Sequence, residues 1–336
     1  MKKFFVVFLS FFIAFSVTSC SRQPSDVITL SYSIFFPATH AQAEAAVDWA
    51  KEIERKSKGR IKIDIFPGGT LTDADKTFTG VVGGIADIGM SCFAYNRGRF
   101  PVMEAVDLPL GYPSGKVATR VAHEFYNEMK PAELDGVKVL YIHAHGPGLL
   151  HTKNPVRTLE DMRGLQVRST GLSAGVTEAL GGLPVAMPQG ATYEALQRGV
   201  VSGTFAPIET LKGWNQAEVI SYTTDCRDIG YTTAMYVVMN RQKWEALPED
   251  IQNIFVSVSN EWVDVHGAAW DAADDEGREF TKSLGNSIID LSPEESRRWV
   301  EKVGPVIHKY IMETGRKGLP GDESVKKLRD LIEKHR

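Results

Sequence analysis

One residue, Arg168, has a type and a position in the sequence that suggest that it binds an anionic ligand. It lies near the end of a predicted strand, Leu165–Ser169, and a predicted helix begins soon afterwards, near Ser173. Ligands of open α/β sheets bind at the carboxyl ends of strands, and a helix N-terminus adds free N–H groups. A guanidinium can pair with both oxygens of a carboxylate, which a lysine cannot do. Position alone leaves two interpretations open: a carboxylate anchor, or an exposed loop arginine that bonds a carbonyl.

The same stretch contains GLSAG (Gly171–Gly175), which matches the G-x-S-x-G pattern of esterases, and HGPG (His145–Gly148) resembles a glycine-rich oxyanion motif. An esterase needs its serine at the turn directly after the strand, but three residues intervene here. The later histidines all lie in predicted helices: His266, His308 and His335. We therefore predict that the chain is not an enzyme, that it has no catalytic residue, and that Ser173 is a helix N-cap. An exported serine hydrolase that uses GLSAG is the remote alternative.

Three histidines that lie close together in the sequence, His143, His145 and His151, suggest a metal site. H-x-H on a strand places both rings on one face, as zinc sites require. No HExxH motif and no cysteine pair completes a ligand set, and the carboxylates at 271–276 are typical of a solvated helix face. The sequence therefore predicts neither a metal nor another cofactor.

The first residues of the chain are typical of a secretory signal peptide, with two lysines followed by a nearly unbroken apolar run. The boundary VTSC resembles a bacterial lipobox, whose cysteine carries lipid after cleavage, although cleavage without lipidation is the alternative. We predict a signal peptide at 1–19, a lipid-modified Cys20, a tether at 20–26, and a periplasmic protein that contacts the membrane only through that anchor.

The charge of the chain limits which partners it can bind, and its cysteine content limits which disulfides it can form. The net charge is −4 and no basic patch is present, which excludes a typical nucleic-acid-binding protein. Export places the chain in an oxidising compartment, where Cys92 and Cys226 could form a disulfide. Their separation gives no disulfide signature, and Cys92 lies in an apolar run, so we predict two buried free thiols.

Strands and helices alternate along the chain, which predicts an α/β architecture with a largely parallel sheet. The second half repeats the order of the first, and GIADIG (84–89) and GVVSGT (199–204) each follow a helix and begin a strand. Two similar lobes with a cleft between them are the simplest interpretation. Between Pro248 and Pro293 there is no proline, and up to about Leu284 only Gly267 and Gly277 interrupt a helical pattern. One long helix could therefore brace both lobes.

Five segments, in order, resemble the extracytoplasmic solute-binding proteins of TRAP transporters, the DctP-like family: FFPATHAQAEAAVDWAKEIERKSKGRIKIDIFPGGTL, GVVGGIADIGM, LEDMRGLQVRST, YEALQRGVVSG and VVMNRQKWEALPEDIQ. In that family the arginine of the third segment forms a salt bridge with the ligand carboxylate, and Arg168 matches it. The resemblance implies a two-lobed periplasmic-binding-protein fold, type II-like, that closes around an acidic solute by hinge motion. A long helix would cross both lobes, and a TRAP membrane permease would be the partner. We expect lobe I at 27–146 and 234–273, and lobe II at 147–233 and 274–336 with the C-terminal helices.

Departures from the family pattern bear on the ligand. Sialic-acid binders carry an asparagine where this chain has Ala206, and the stretch GPGLLH lacks their second arginine. These differences argue against a sugar acid, whose hydroxyls would lack partners. Aromatic residues near the inferred cleft favour a monocarboxylate with an aromatic or apolar body, and a ligand-presenting sensor for a membrane receptor is the alternative function. The predicted ligand-binding residues are Phe35, His40, Ser91, Phe93, Tyr95, Gly148, Arg168, Phe205, Ala206, Glu209, Trp214 and Tyr231.

Overall fold

The computed structural model describes residues 27–336, so the predicted signal peptide, Cys20 and the tether lie outside the described residues. The strands are β1 (Ile28–Ile34), β2 (Ile61–Phe66), β3 (Ile88–Cys92), β4 (Val137–Ala144), β5 (Leu149–Thr152), β6 (Gln166–Arg168), β7 (Leu183–Val185), β8 (Gly203–Ala206), β9 (Tyr222–Asp225), β10 (Ala234–Asn240) and β11 (Ser287–Asp290). The helices are α1 (Ala41–Lys56), α2 (Thr77–Val82), α3 (Gly115–Met129), α4 (Ser173–Ala179), α5 (Thr192–Gln197), α6 (Thr210–Gly213), α7 (Arg241–Ala246), α8 (Glu249–Ser283), α9 (Pro293–Arg316) and α10 (Gly321–His335).

Local sequence explains the elements that open the chain. In β2, Ile61 and Ile63 are buried while the lysine between them is exposed, which is the alternation of a half-covered strand. In α1, Ala43, Ala46, Ala50 and Ile53 recur at helical spacing and are buried against the first sheet. His40 caps α1, because its Nδ1 accepts a hydrogen bond from the backbone N–H of Gln42.

The strands form two sheets, one in each lobe, as the predicted fold class requires. Lobe I contains the order β2-β1-β3-β10-β4, and lobe II contains β11-β9-β5-β8-β6-β7. Both sheets are mixed, which corrects the prediction of a largely parallel sheet: β10 runs antiparallel to β3 and β4, and β5 runs antiparallel to β8 and β9. The physical reason is the route of the chain between the lobes. β4 ends at the boundary between the lobes and β10 begins there, so these two neighbours run in opposite directions. Parallel neighbours would need a longer crossover connection, usually a helix.

Two short segments connect strands of one sheet to strands of the other, in addition to α8, which also passes between the lobes. Residues 145–148 lead from β4 into β5, and residues 226–233 lead from β9 back into β10. Both connections are held together by a backbone hydrogen bond, from Gly148 N–H to the Tyr231 carbonyl at 3.0 Å. The two crossings therefore lie side by side at the boundary between the lobes.

The long helix α8 packs against α1, α3 and β4 of lobe I and against α6 and β11 of lobe II, as predicted. Its two glycines let the helix approach the backbone of each lobe closely. A Cβ atom at Gly267 would lie 3.0 Å from the Cα atom of Lys116 in lobe I, and one at Gly277 would lie 2.5 Å from the Ile208 carbonyl oxygen in lobe II. Within residues 27–336, no helix, α8 included, is long and apolar enough to cross a membrane.

The C-terminal helices contact both lobes. Trp299 and Val303 of α9 pack into the core of lobe II, whereas the apolar face of α10 packs on α3 in the core of lobe I. The predicted division placed residues 274–336 with lobe II. The last helix lies instead on lobe I, because Val325 and Leu328 are buried in that core.

Cys92 and Cys226 are both buried and free, as predicted. They lie in the cores of different lobes. Burial raises the pKa of each thiol to about 12, so both stay protonated and unreactive at neutral pH.

Candidate ligand-binding site

A cavity lies between the two lobes, with walls from both sheets and from α8. The volume open to the centre of a water molecule is about 40 Å³, which is the space of a few waters and suits a small ligand. Eight of the predicted residues line it: Phe35, Tyr95, Arg168, Phe205, Ala206, Glu209, Trp214 and Tyr231. His40 lies just behind this wall, bonded to Glu209, and lines a surface groove next to the cavity.

Arg168 stands at the end of β6 with its side chain in the cavity wall, and only 5 % of its surface is exposed. Its Nε donates to the Met187 carbonyl at 3.1 Å, which orients the guanidinium plane. Among the described residues, no carboxylate lies within salt-bridge distance of it and no second hydrogen bond is formed. A buried cation without a counter-ion is costly, so this fork is set up to bind an anion.

The segment that orients Arg168 also adds a second donor. The Gln189 backbone N–H donates to the Tyr95 hydroxyl at 3.2 Å, a bond that joins lobe II to lobe I. The Gln189 side chain lines the cavity, is 6 % exposed, and its Nε2 has no hydrogen-bond partner among residues 27–336. An unpaired buried amide needs a partner, and an acceptor on a ligand would supply it.

The other titratable groups near Arg168 are uncharged at neutral pH. Burial lowers the pKa of His145 to about 4 and raises the pKa values of Tyr95 and Tyr231 above the usual range. The guanidinium therefore faces hydroxyls and a neutral imidazole, which leave its charge uncompensated. An anion entering this end of the cavity meets the full attraction of Arg168.

Aromatic rings form the apolar walls. Phe35 and Phe36 lie with ring centroids 4.0 Å apart, and Trp214 stacks on Phe35 at 6.2 Å. Trp270 of α8 meets Phe36 edge-on at 5.8 Å. Such walls offer a flat ligand stacking and edge contacts but few hydrogen bonds.

A buried polar pair crosses the cleft beside these rings. His40 Nε2 lies 2.8 Å from Glu209 Oε2, and the two side chains are 1 % and 3 % exposed. Because His40 Nδ1 accepts the Gln42 N–H, the ring proton lies on Nε2, which donates to the carboxylate. His40 belongs to lobe I and Glu209 to lobe II, so this hydrogen bond fixes the two lobes to each other.

Besides His40, three predicted binding residues do not line the cavity. In β3, Cys92 faces the cavity, so its neighbours Ser91 and Phe93 point away: Ser91 donates to the Ala74 carbonyl, and Phe93 packs in the core of lobe I. Gly148 lies behind the ring of Tyr231, and a Cβ atom there would overlap that ring at 2.1 Å. Its role is to let Tyr231 approach.

The interpretation of Ser173 as an N-cap is also wrong. Leu172 occupies the cap position of α4, and Ser173 is the first helical residue. The Ser173 hydroxyl donates to the Thr170 carbonyl at 2.7 Å and accepts the Thr170 N–H at 3.1 Å. It closes the turn after β6 and thereby holds the end of the strand that carries Arg168.

Sequence reasoning missed several wall residues. Gln189 and Trp270 come from a loop and from α8, segments that reach the cavity only through the tertiary fold. His145 was considered as a metal ligand and instead lies in a crossing segment. The remaining wall residues outside the predicted ligand-binding set are Phe36, Cys92, Thr170, Ser173, Pro207, Thr210, Thr233 and Met235.

The three clustered histidines have separate surroundings. His143 accepts a hydrogen bond from Trp270 Nε1 and stacks on His266, with ring centroids 4.4 Å apart. His151 lies in the other sheet, bonded to Thr223 and to the Ala206 carbonyl. In the part of the chain that the structure describes, no group of three His, Cys, Asp or Glu side chains could hold a metal ion.

One carboxylate predicted as solvated, Asp274 of α8, lies partly buried at the boundary between the lobes. Its Oδ1 accepts the Glu209 N–H at 3.1 Å. Burial, reinforced by the charge of Glu209, raises the pKa of Asp274 to about 8. The acid form is therefore favoured in the folded protein at neutral pH.

We predict that Asp274→Asn stabilises the protein against unfolding as pH rises. The pKa of Asp274 is higher in the folded state than its ordinary value of 3.8, so wild type loses stability between about pH 4 and about pH 8. Asparagine keeps the oxygen that accepts the Glu209 N–H but does not titrate. We expect a Tm near that of wild type at pH 4.5 and about 2 °C or more above it at pH 8. Equal pH profiles of Tm for the two proteins would contradict the raised pKa.

Comparison with known proteins places the chain among solute-binding proteins. A curated relative is the 2,3-diketo-L-gulonate-binding periplasmic protein YiaO of Escherichia coli, 25 % identical over 76 % of this chain and 78 % of the relative. A TRAP solute-binding protein of Rhodoferax ferrireducens, solved with copurified benzoate, has a TM-score of 0.88 at 25 % identity and covers 92 % of this chain and 98 % of its own. A marine-metagenome TRAP solute-binding protein specific for aromatic acid ligands, solved with metahydroxyphenylacetate, has a TM-score of 0.88 at 27 % identity, with 92 % and 99 % covered.

The family assignment rests on most of the chain. Residues 32–314 match the DctP family, described as bacterial extracellular solute-binding protein, family 7. This range includes both sheets except the first four residues of β1, and it includes the cavity lining and all of α8. Members of this family and the matching structures are solute-binding proteins, which excludes the hydrolase alternative. The chain belongs to the DctP family of bacterial extracellular solute-binding proteins.

Proposed function

We propose that this chain binds a monocarboxylate with an aromatic or apolar body, anchors its carboxylate through Arg168, and delivers it to a TRAP membrane permease. The observation that carries the proposal is the Arg168 guanidinium, nearly buried in the cavity wall without a carboxylate partner among the described residues. A ligand carboxylate fits that fork in two-pronged geometry. The Gln189 amide, unpaired at its Nε2, would bind a carboxylate oxygen beside it.

The cavity walls support an aromatic or apolar body. Phe35, Phe36, Trp214 and Trp270 surround the space beyond Arg168 and would bury a flat ring. The small volume argues against a long acid. The benzoate and metahydroxyphenylacetate of the two structural neighbours are ligands of this kind.

Hinge closure is the proposed mechanism. The ligand would touch Arg168 in lobe II and the aromatic rings of lobe I, so it binds the closed arrangement better than the open one. The bonds between Tyr95 and Gln189 and between His40 and Glu209 already join the lobes around the cavity. Closure would remove the ligand from water and form both bonds together.

We also propose that the mature protein is tethered to a membrane through a lipid on Cys20, which the boundary VTSC supports. The test is mass spectrometry of the N-terminal peptide from the membrane fraction. A Cys20→Ser variant is expected in the soluble periplasmic fraction. A soluble wild-type protein that begins at another residue would contradict the tether.

The ligand class is tested by thermal shift with purified protein. We expect benzoate-like and short apolar monocarboxylates at about a hundredfold over Kd to raise Tm by about 5 °C or more. Galactonate and succinate, offered at the same concentration, should leave Tm unchanged. Mass spectrometry of ligand released from freshly denatured protein identifies the natural acid. Stabilisation only by sugar acids or dicarboxylates would overturn the proposal.

A further inference from the structure

We propose that Glu209 determines specificity in this cavity by selecting acids that carry an O–H or N–H donor at the end opposite their carboxylate. The inference rests on the proposed function, because it requires the carboxylate to be held at Arg168. It adds a second recognition point to the site. Acids without such a donor would bind more weakly than hydroxylated or aminated acids of the same shape.

The hydrogen bonding of Glu209 is incomplete. Its Oε2 accepts from His40 Nε2, whereas its Oε1 has no hydrogen-bond partner within residues 27–336. The side chain is 3 % exposed and borders both the cavity and the neighbouring groove, so its Oε1 is open to these spaces and is not packed against protein atoms. A carboxylate accepts several hydrogen bonds, and a ligand that fills the cavity would remove the water available to this oxygen. A donor on the ligand would supply the missing bond.

The position of Glu209 sets it apart from Arg168. Arg168 lies near Tyr95 and Tyr231, whose pKa values it lowers in part, whereas Glu209 borders the neighbouring surface groove together with Phe35 and Trp214. Among the described residues, no nitrogen–oxygen distance within 4 Å joins the two groups. The cavity wall therefore carries a guanidinium and a carboxylate that do not pair with each other, together with the aromatic rings. Its complement is an acid with a hydrogen-bond donor across a ring.

A purely mechanical role for Glu209 gives a different expectation. If Glu209 only joins the lobes through His40, its loss weakens every ligand by the same factor, because each ligand needs the closed arrangement. Selection acts differently, since it changes the ratio of affinities between ligands that differ only in the donor. The ratio therefore separates the two roles.

Glu209→Gln is the sharpest variant. The His40 Nε2–H would take the amide oxygen, which leaves the amide NH₂ as the group available to a ligand. The site would then offer a donor where wild type offers an acceptor. We expect wild type to bind 3-hydroxybenzoate about tenfold or more tightly than 3-methoxybenzoate, and Glu209→Gln to abolish or invert that preference.

Binding is measured by calorimetry with benzoate, the 3- and 4-hydroxybenzoates, the matching methoxybenzoates and 3-(aminomethyl)benzoate. If 3-(aminomethyl)benzoate binds more tightly than the hydroxybenzoates, an ammonium is the preferred donor. If the hydroxybenzoates bind more tightly, the preferred donor is a hydroxyl. Glu218→Gln, an exposed carboxylate on the same groove, should change neither affinity nor ratio. His40→Gln should weaken all these acids by a similar factor and keep the preference.

The outcomes separate this inference from the function on which it rests. An unchanged hydroxy-to-methoxy ratio in Glu209→Gln, with all affinities lowered alike, would overturn the specificity role and leave the carboxylate site standing. Failure of wild type to bind any of the benzoates, with Arg168 intact, would overturn the proposed ligand class itself.

Discussion

Arg168→Ala lowers the affinity for the carboxylate ligand by about a hundredfold or more, because truncation of one partner of a buried, hydrogen-bonded charge pair costs at least a few kcal/mol. The same change removes a nearly buried cation that has no carboxylate partner among the described residues. The ligand-free variant should therefore unfold at the same temperature as wild type or at a higher one. Calorimetry with the natural acid and a thermal melt without it measure the two effects.

Two further variants make the Arg168 experiment specific. Arg168→Lys keeps the charge but loses the two-pronged fork and the Nε bond to Met187, so its affinity should lie between those of wild type and alanine. Arg163→Ala removes an exposed arginine just before the same strand and should change nothing. Wild-type affinity in Arg168→Ala would show that the carboxylate lies elsewhere.

Gly277→Ala is expected to destabilise the protein by about 1–3 kcal/mol, although alanine is normally the better helix residue. The added Cβ would lie 2.5 Å from the Ile208 carbonyl oxygen and 2.8 Å from the Glu209 Cα. These are backbone atoms that cannot rotate away, so α8 must shift from lobe II. Chemical denaturation measures the loss, and weaker ligand binding should accompany it because Glu209 moves with its backbone.

Gly315→Ala in α9 is the matched control for Gly277. It also lies inside a helix, but a Cβ atom there meets nothing within 4 Å. Alanine should stabilise the protein at that position by up to about 1 kcal/mol. Equal stabilisation by both substitutions would contradict a tight contact between α8 and lobe II.

The long helix was predictable because its signals are local. Pro248 at its start and the lack of another proline before Pro293 define a helix without reference to tertiary contacts. The meaning of its two glycines was not predictable, since it depends on which backbone passes close by. Gly267 and Gly277 mark the contacts with lobe I and lobe II only when the fold is known.

The wall of the cavity shows a second limit of sequence reasoning. β3 is buried on both faces, so its residues do not alternate between apolar and polar, and the sequence does not show which side faces the cleft. The sequence therefore did not show that Cys92, and not its predicted neighbours Ser91 and Phe93, lines the cavity. Arg168 could be predicted to line the cavity because a charged residue at the end of an apolar strand is costly without an anionic partner, and because it matches the family motif.

The two lobe crossings have a consequence for what the protein communicates. His145, Tyr231 and Thr233 belong to the crossing segments and are at the same time part of the cavity wall. In the proposed closure the crossings are the hinge, so a ligand that contacts this wall would act directly on the hinge, and its size would set the angle between the lobes. A protein that docks on the outer faces of both lobes would detect that angle. An acid too large for the cavity would then bind weakly, and it would also hold the lobes at an angle that such a partner does not recognise.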